Sequence, residues 1–352
     1  MRPEQWSAFK RAAKRQAGAG VPLALIVDSP WMPGYLGISH LDYFLDPEVW
    51  FQANLKVIRE FPEITFFPSW WMEYGMAIEP SAMGARLSFA PDRTPSVRAT
   101  LFELHDLERL APVDPWADGF MALALHRYRM QKQRIFDAGY TLPMATARGP
   151  LCTAAFVHDL SRLMVNLKED PTGVHRLLAY VTEATIEWLK AQAEAIGPTV
   201  EGIFILDDIP GFLSNQLYKE FAHPYLKQIC DAFPKEWVKV YHNDASIKQF
   251  LEELPETGFD VLNFTHNLDI AEVARRTSGR MCLMGNVAPL DLGVRGTPEQ
   301  VREASLAVLR KMEGRGLILS VGGGVSPGMP RENIEAMVAA VHEFQGSLVG
   351  HE

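Results

Sequence analysis

Eight short runs of apolar and β-forming residues punctuate the chain, at Pro22–Asp28, Ile64–Trp70, Leu142–Arg148, Gly202–Asp208, Val238–Asp244, Val261–His266, Met281–Val287 and Leu317–Gly322. Most are continuously hydrophobic rather than alternating, which predicts strands buried on both faces of a parallel sheet. Helical patterns lie between them. Asp46-Pro47 and Asp170-Pro171 each offer an N-cap followed by proline at the first helical position, and Thr297-Pro298-Glu299-Gln300 adds a capping box. In the last helix Ile334, Met337, Val338 and Val341 recur at i, i+3, i+4 and i+7, one apolar stripe for packing on a sheet. Strand and helix alternate from end to end, the pattern of an α/β domain.

Eight parallel strands are the number that closes a (β/α)8 TIM barrel. The surplus residues also have places. Residues 1–20 predict a leading helix over the barrel floor, and residues 76–140 an insertion after the second strand. That insertion reads as a hairpin (Met83–Phe89 and Val97–Glu103 across Pro91-Asp92-Arg93) and a long helix. No linker or repeat divides the chain, so a single domain over residues 1–352 is expected. An open doubly wound sheet would gather its polar residues at one switch point. Here Asp28, Trp70, Arg148, Asp207, Asp208, His242, Asp244, His266 and Asn286 end nearly every strand, as a barrel's active face requires.

Composition narrows the role. Hydrophobic residues are 47% and charged residues 22%, ordinary for a globular protein. The longest apolar stretches are strand-sized, far below the roughly 20 residues that span a bilayer, and the first residues carry no apolar leader. Cys152, Cys230 and Cys282 are too scattered for a disulfide framework or a metal knuckle. A cytoplasmic protein without a membrane partner is expected. The formal charge of −9 argues against nucleic acid, leaving small molecules and other proteins as partners.

Candidate chemistry sits at the strand ends. His242 and Asp244 are two apart in a strand, so both point the same way. They can form an acid/base pair or two metal ligands, or Asp244 can simply cap a helix. Asp207 and Asp208 cannot both stay ionised in a dry site. One facing the mouth and one capping the helix near Ser214 is the expected division, with Asp207 the mouth residue. Arg148 can neutralise them, bind a substrate anion, or make a structural pair. Trp31, Trp70 and Trp71, with Glu73 beside them, can stack on an aromatic ring or cage a quaternary ammonium, or belong to the core. Asn243, His266 and Asn286 complete the candidate substrate-binding set. The run Gly322-Gly323-Gly324 can cradle a phosphate or let another backbone come close.

Several segments in order resemble the uroporphyrinogen decarboxylase-like superfamily, in particular its corrinoid-dependent methyltransferase branch. They are Gly149-Pro150, Asp170-Pro171, Leu213-Ser214 through Pro224-Tyr225-Leu226-Lys227, His242-Asn243-Asp244, Gly285-Asn286-Val287, Gly296-Thr297-Pro298-Glu299, Ile318-Leu319-Ser320 with Gly322-Gly323-Gly324-Val325, and Pro330-Arg331-Glu332-Asn333. The resemblance is firm over residues 140–345 and looser before. It implies the same eight-stranded barrel. The decarboxylase itself carries Arg-Gln-Ala-Gly-Arg-Tyr after its first strand, where this chain has Asp28-Ser29-Pro30-Trp31-Met32-Pro33. Its glycine-flanked histidine after the last strand is Gly323 here. In the branch acting on coenzyme M, zinc is held by His-x-Cys and a later Cys. His242 matches the histidine, but Asp244 and Gly323 stand at the two cysteine positions.

The resemblance therefore implies a donor-specific methyltransferase. It would move a methyl group from a small methylated substrate, a methoxyarene first and a methylated amine or betaine second, to cob(I)alamin. No Asp-x-His-x-x-Gly motif is present, so cobalamin would arrive on a separate corrinoid protein. His242, Asp244 and Asp207 are the expected catalytic residues. His242 and Asp244 are also the expected ligands of a zinc ion, if one is used, with Asp207 or Glu73 as a third. A metal-dependent decarboxylase or lyase on a small aromatic acid, and a non-catalytic ligand-binding barrel, are the alternatives.

Overall fold

The computed structural model describes residues 1–16, 18 and 20–349. Eight strands line a barrel, β1 (Ala24–Ile26), β2 (Thr65–Phe67), β5 (Met144–Arg148), β6 (Gly202–Leu206), β7 (Val238–Asn243), β8 (Val261–Phe264), β9 (Cys282–Val287) and β10 (Leu317–Val321). The other two, β3 (Arg86–Ala90) and β4 (Arg93–Arg98), form the hairpin of the insertion. Strands β5 to β10 make one continuous parallel sheet, and β1 pairs with β2. Isolated bridges join β1 to β10: Leu319 N–H donates to Pro22 C=O at 2.9 Å and Val325 N–H to Ile26 C=O at 3.0 Å. Between β2 and β5 no strand ladder forms among the described residues.

The strands' near-complete hydrophobicity has a simple cause. One face of each packs on the outer helices and the other fills the barrel. Interior side chains stack in rows, Phe204, Val240, Val261 and Cys282 in one row, and Arg148, Leu206, His242, Asn263 and Met284 in the row above. Interdigitating layers of this kind are how such barrels exclude a central pore. The upper row is where polar groups replace aliphatic ones.

The predicted helix starts are in place. Asp46 Oδ1 accepts the Glu48 N–H at 2.7 Å ahead of Pro47–Glu60, and Asp170 Oδ1 accepts the Gly173 N–H at 2.8 Å ahead of Pro171–Ile196. Thr297 and Gln300 bond reciprocally before Pro298–Lys311. The leading helix, Pro3–Ala13, crosses the floor, where Trp6 donates to Glu201 at 2.7 Å and Gln5 to Ile64 C=O at 2.9 Å. The hairpin is tighter than the sequence suggested. The strands run over Arg86–Ala90 and Arg93–Arg98 rather than Met83–Phe89 and Val97–Glu103, because Ala90 pairs with Arg93 directly across Pro91-Asp92 and Leu101 already donates to Val157 C=O at 2.9 Å. No helix among the described residues is long and apolar enough to cross a membrane.

Candidate active site

Strand parity decides which polar residues enter the barrel mouth. On β6, Phe204 and Leu206 face inward, so Asp208 continues the inner face and Asp207 points to the helices. On β7 the inward series is Val238, Val240, His242 and then Asp244. These two strand ends bring Asp208, His242 and Asp244 together, with one potential ligand atom from each lying within 4.8 Å of the others. His242 Nε2 lies 3.5 Å from Asp208 Oδ1, which also accepts the Asp244 backbone N–H at 3.1 Å.

The imidazole is oriented from behind. Asn263 Nδ2 donates to Met284 C=O at 2.9 Å and Val321 C=O at 3.3 Å, which leaves its Oδ1 facing His242 Nδ1 at 2.6 Å. An amide oxygen can only accept, so Nδ1 carries a proton and Nε2 faces the two aspartates. A bare lone pair against two carboxylates is repulsive; a proton or a cation on Nε2 turns the same arrangement into an attraction. Burial pushes the Asp244 carboxyl above its ordinary range, opposed by His242 and reinforced by Asp208.

The cluster opens on a cavity of about 520 Å3. Ile26, Val97, Phe156, Leu206 and Val325 give it an apolar wall, with Val97 contributed by the hairpin. Asp28, Glu73 and Arg148 line it too. Burial raises Asp28 to about 6, and burial together with Asp28 raises Glu73 to about 8. Glu73 is held by the Ser29 backbone N–H, by the Ser29 hydroxyl at 3.0 Å and by the Gly75 N–H at 3.2 Å.

Other expected site residues go elsewhere. Asp207, placed at the mouth by the sequence reading, is instead buried under the helix Pro150–His158, where its carboxyl accepts N–H groups from Leu151 at 3.1 Å and Cys152 at 2.8 Å. Asp208 takes the mouth position instead, and neither aspartate caps the helix Asn215–Phe221, whose N-cap is Ser214 itself. Neither Asp207 nor Glu73 joins the His242–Asp244 pair as a third ligand; Asp208 does. Gly149 has no side chain because a Cβ there would fall 2.3 Å from Asp207 Cβ.

No tryptophan cage forms, since none of the three lines the cavity. Trp31 is buried and donates to Met329 C=O at 3.0 Å. Ser69 and Trp70 adopt left-handed backbone, φ 75° and 53°, which ends β2 and sends Trp70 outward against Trp50 and Phe51. Trp71 fills the barrel interior beneath Arg148. Asn243 has outward parity and braces Asp207 C=O at 2.8 Å. His266 and Asn286 line a separate cleft with Lys311, where Asn286 donates to Leu268 C=O at 2.8 Å.

The glycine run serves close approach. A Cβ on Gly322 would meet His266 N at 2.5 Å, and one on Gly323, at φ +118°, would meet Asp244 Oδ2 at 2.8 Å. Sequence reasoning passed over Asp28 as a site residue, Asp208 as the third member of the cluster and Asn263 as its support. The interior parity of their strands was the signal for all three.

Comparison with known proteins places this barrel among relatives. A profile of uroporphyrinogen decarboxylase (URO-D) matches residues 7–344. The uroporphyrinogen decarboxylase of Chloroherpeton thalassium is 30% identical over 76% of this chain and 76% of its own length. That of Chlorobaculum parvum is 26% identical over 95% of this chain and 97% of its own. Among solved structures, a methyltransferase from Methanosarcina mazei superposes with a TM-score of 0.83, covering 97% of this chain and 99% of that one at 21% identity.

Proposed function

The chain belongs to the uroporphyrinogen decarboxylase family, and on that premise we propose that it is a methyltransferase. It moves a methyl group from a small methylated donor, a methoxyarene in first place, to cob(I)alamin on a separate corrinoid protein. The observation that carries this reading is the Asp208–His242–Asp244 cluster, its imidazole oriented by Asn263 and facing a largely apolar cavity. The fold-level likeness to a methyltransferase supports it.

Demethylating an aryl ether is a displacement in which phenolate leaves. It asks for a positioned acid at the oxygen and a dry surface for the ring. Ile26, Leu206 and Phe156 supply that surface. With a proton on Nε2, Asp208 holds the His242 imidazolium, and the Nε2–H donates to the ether oxygen as the C–O bond breaks. Asp244 closes the other side of the cluster around the ring. The nucleophile is cob(I)alamin on its carrier; a cavity of about 520 Å3 takes one substituted ring but not a corrin.

The three side chains also fit a divalent cation, because two carboxylates and an imidazole are a donor set that zinc accepts without thiolates. A cation held there would supply Lewis acidity to the same ether oxygen. On that route, dialysis against a chelator is expected to abolish turnover and added zinc to restore it. A rate unmoved by chelation assigns the acid role to the proton on Nε2.

Uroporphyrinogen is a poor match to this lining. One guanidinium, Arg148, stands among Asp28, Glu73, Asp208 and Asp244, whereas an octacarboxylate needs a basic clamp. Methylated ammonium donors rank below methoxyarenes because the tryptophans lie away from the cavity. The experiment supplies chemically reduced cob(I)alamin and a panel of methoxyarenes. Loss of cob(I)alamin absorbance together with release of the phenol is the expected result, and neither signal with any donor sinks the proposal. In the same assay Asn263→Leu is expected to lower the rate about 10- to 100-fold, as loss of a partner that orients a site histidine does.

A further inference from the structure

Arg148 carries a guanidinium into the cavity that the fold does not neutralise by contact. It continues the inward face of β5 and is only 6% exposed. Its guanidinium makes one long bond, to Gly75 C=O at 3.5 Å, and lies 5.4 Å from the centroid of the Trp71 ring. Among the described residues no carboxylate oxygen comes within 4.0 Å of it. Burying a guanidinium without a bonded anion is unfavourable, because its forked donors lose water and gain little.

Nearby acids do not fill the gap. Glu79 accepts Arg148's own backbone N–H at 2.8 Å, and Glu73 has its oxygens occupied by Ser29 and Gly75. Burial pushes both carboxyls, and Asp28, above their ordinary ranges, against the opposing pull of the Arg148 charge, which acts on all three without touching them. The Asp28 carboxyl also faces the cavity, but like the others it lies beyond 4.0 Å of the guanidinium, whose donors are left turned toward the cavity.

Register fixes where that cation stands relative to the cluster. Arg148 pairs with Leu206, and Leu206 with His242, in one interior row. Adjacent strands are about 4.8 Å apart, so the backbones of Arg148 and His242 stand about 10 Å apart with an apolar residue between them. A flat apolar body lying on Leu206 would have one end at the guanidinium and the other at the imidazole.

We propose that Arg148 anchors a carboxylate of the donor, so that the substrate is a small methylated acid of the methoxybenzoate kind, its anion on Arg148 and its methyl-bearing oxygen at His242. This rests on the methyl-transfer reading for the second contact only; the first is a binding claim.

Calorimetric titration of the whole chain, without cob(I)alamin, tests it with 4-methoxybenzoate, neutral 4-methoxybenzamide and cationic 4-methoxybenzylamine. The acid is expected to bind about 10- to 100-fold more tightly than the amide, the scale of a charge-assisted bond. Arg148→Gln should reduce acid binding to the level of the amide and leave the amide unchanged, with Arg148→Lys intermediate. Equal binding of acid and amide, tighter binding of the amine, no binding of the acid, or an unaltered Arg148→Gln variant would each overturn the anchor. Should Arg148→Gln fail to fold, the three ligands on the wild-type chain decide the matter. Arg148-dependent binding of the acid without methyl transfer would leave the anchor standing and remove the methyltransferase reading. Equal transfer from acid and amide would do the reverse.

Discussion

Alanine at His242, Asp208 or Asp244 is expected to lower methyl transfer at least ~100-fold while the chain stays folded. His242 brings the cluster's one imidazole, whose Nε2 can place a proton at the leaving oxygen or bind a cation there. Asp208 lies 3.5 Å from Nε2 and also fixes the Asp244 backbone, so its loss loosens both neighbours. Because the three act as one unit, their losses should not add. A double variant is expected to be about as slow as the worse single one. The readout is cob(I)alamin absorbance under donor saturation, with circular dichroism to verify folding. Wild-type rates in all three single variants would remove the cluster from catalysis.

Asp207→Ala is expected to do the opposite, destabilising the fold by about 2–4 kcal/mol, since two buried N–H groups at the start of a helix lose their only acceptor. The Asp207 backbone adds to the constraint, its C=O accepting from Asn243 at 2.8 Å and from the Tyr241 hydroxyl at 3.0 Å. Urea midpoints against wild type measure the effect, and an unchanged midpoint would contradict it. A pH dependence accompanies this residue. Burial raises its carboxyl from 3.8 to about 8, so within that window the folded chain keeps a proton that the unfolded chain has released. Stability then falls as pH rises through the window, because the folded state binds more protons.

Asp207 and Asp208 mark where a hydrophobic pattern stops being enough to place a residue. The eight hydrophobic runs coincide with the eight barrel strands because a strand buried on both faces has no polar position except at its end. The mouth residues followed from those ends. Which of two adjacent aspartates faces inward also follows from counting in twos from Phe204 and Leu206, a step that yields Asp208. Asn263 breaks the apolar run Val261–Phe264, and counting would have put it beside His242. The tryptophans could not be placed this way. Their positions depend on left-handed backbone at Ser69 and Trp70, which no hydrophobic pattern encodes. His266 lies past the last residue of β8 and Asn286 reaches out toward the loop after it, so neither strand's inward face decides where they act.

The contact between Gly323 and Asp244 has a consequence for how such a site changes over time. Any side chain at position 323 would press on the Asp244 carboxylate, at 2.8 Å from Oδ2, and would also have to accept a left-handed backbone. The branch acting on coenzyme M, which the chain resembles, would have a cysteine at each of these two positions, where this chain has Gly323 and Asp244. A residue other than glycine at 323 would therefore turn the Asp244 carboxylate away from its present place and strain the backbone at φ +118°. The two positions are thus expected to be coupled, a side chain at 323 calling for a smaller or displaced group at 244. A double-mutant cycle on the two sites is expected to show non-additivity, since the side chain at one decides the room left for the other.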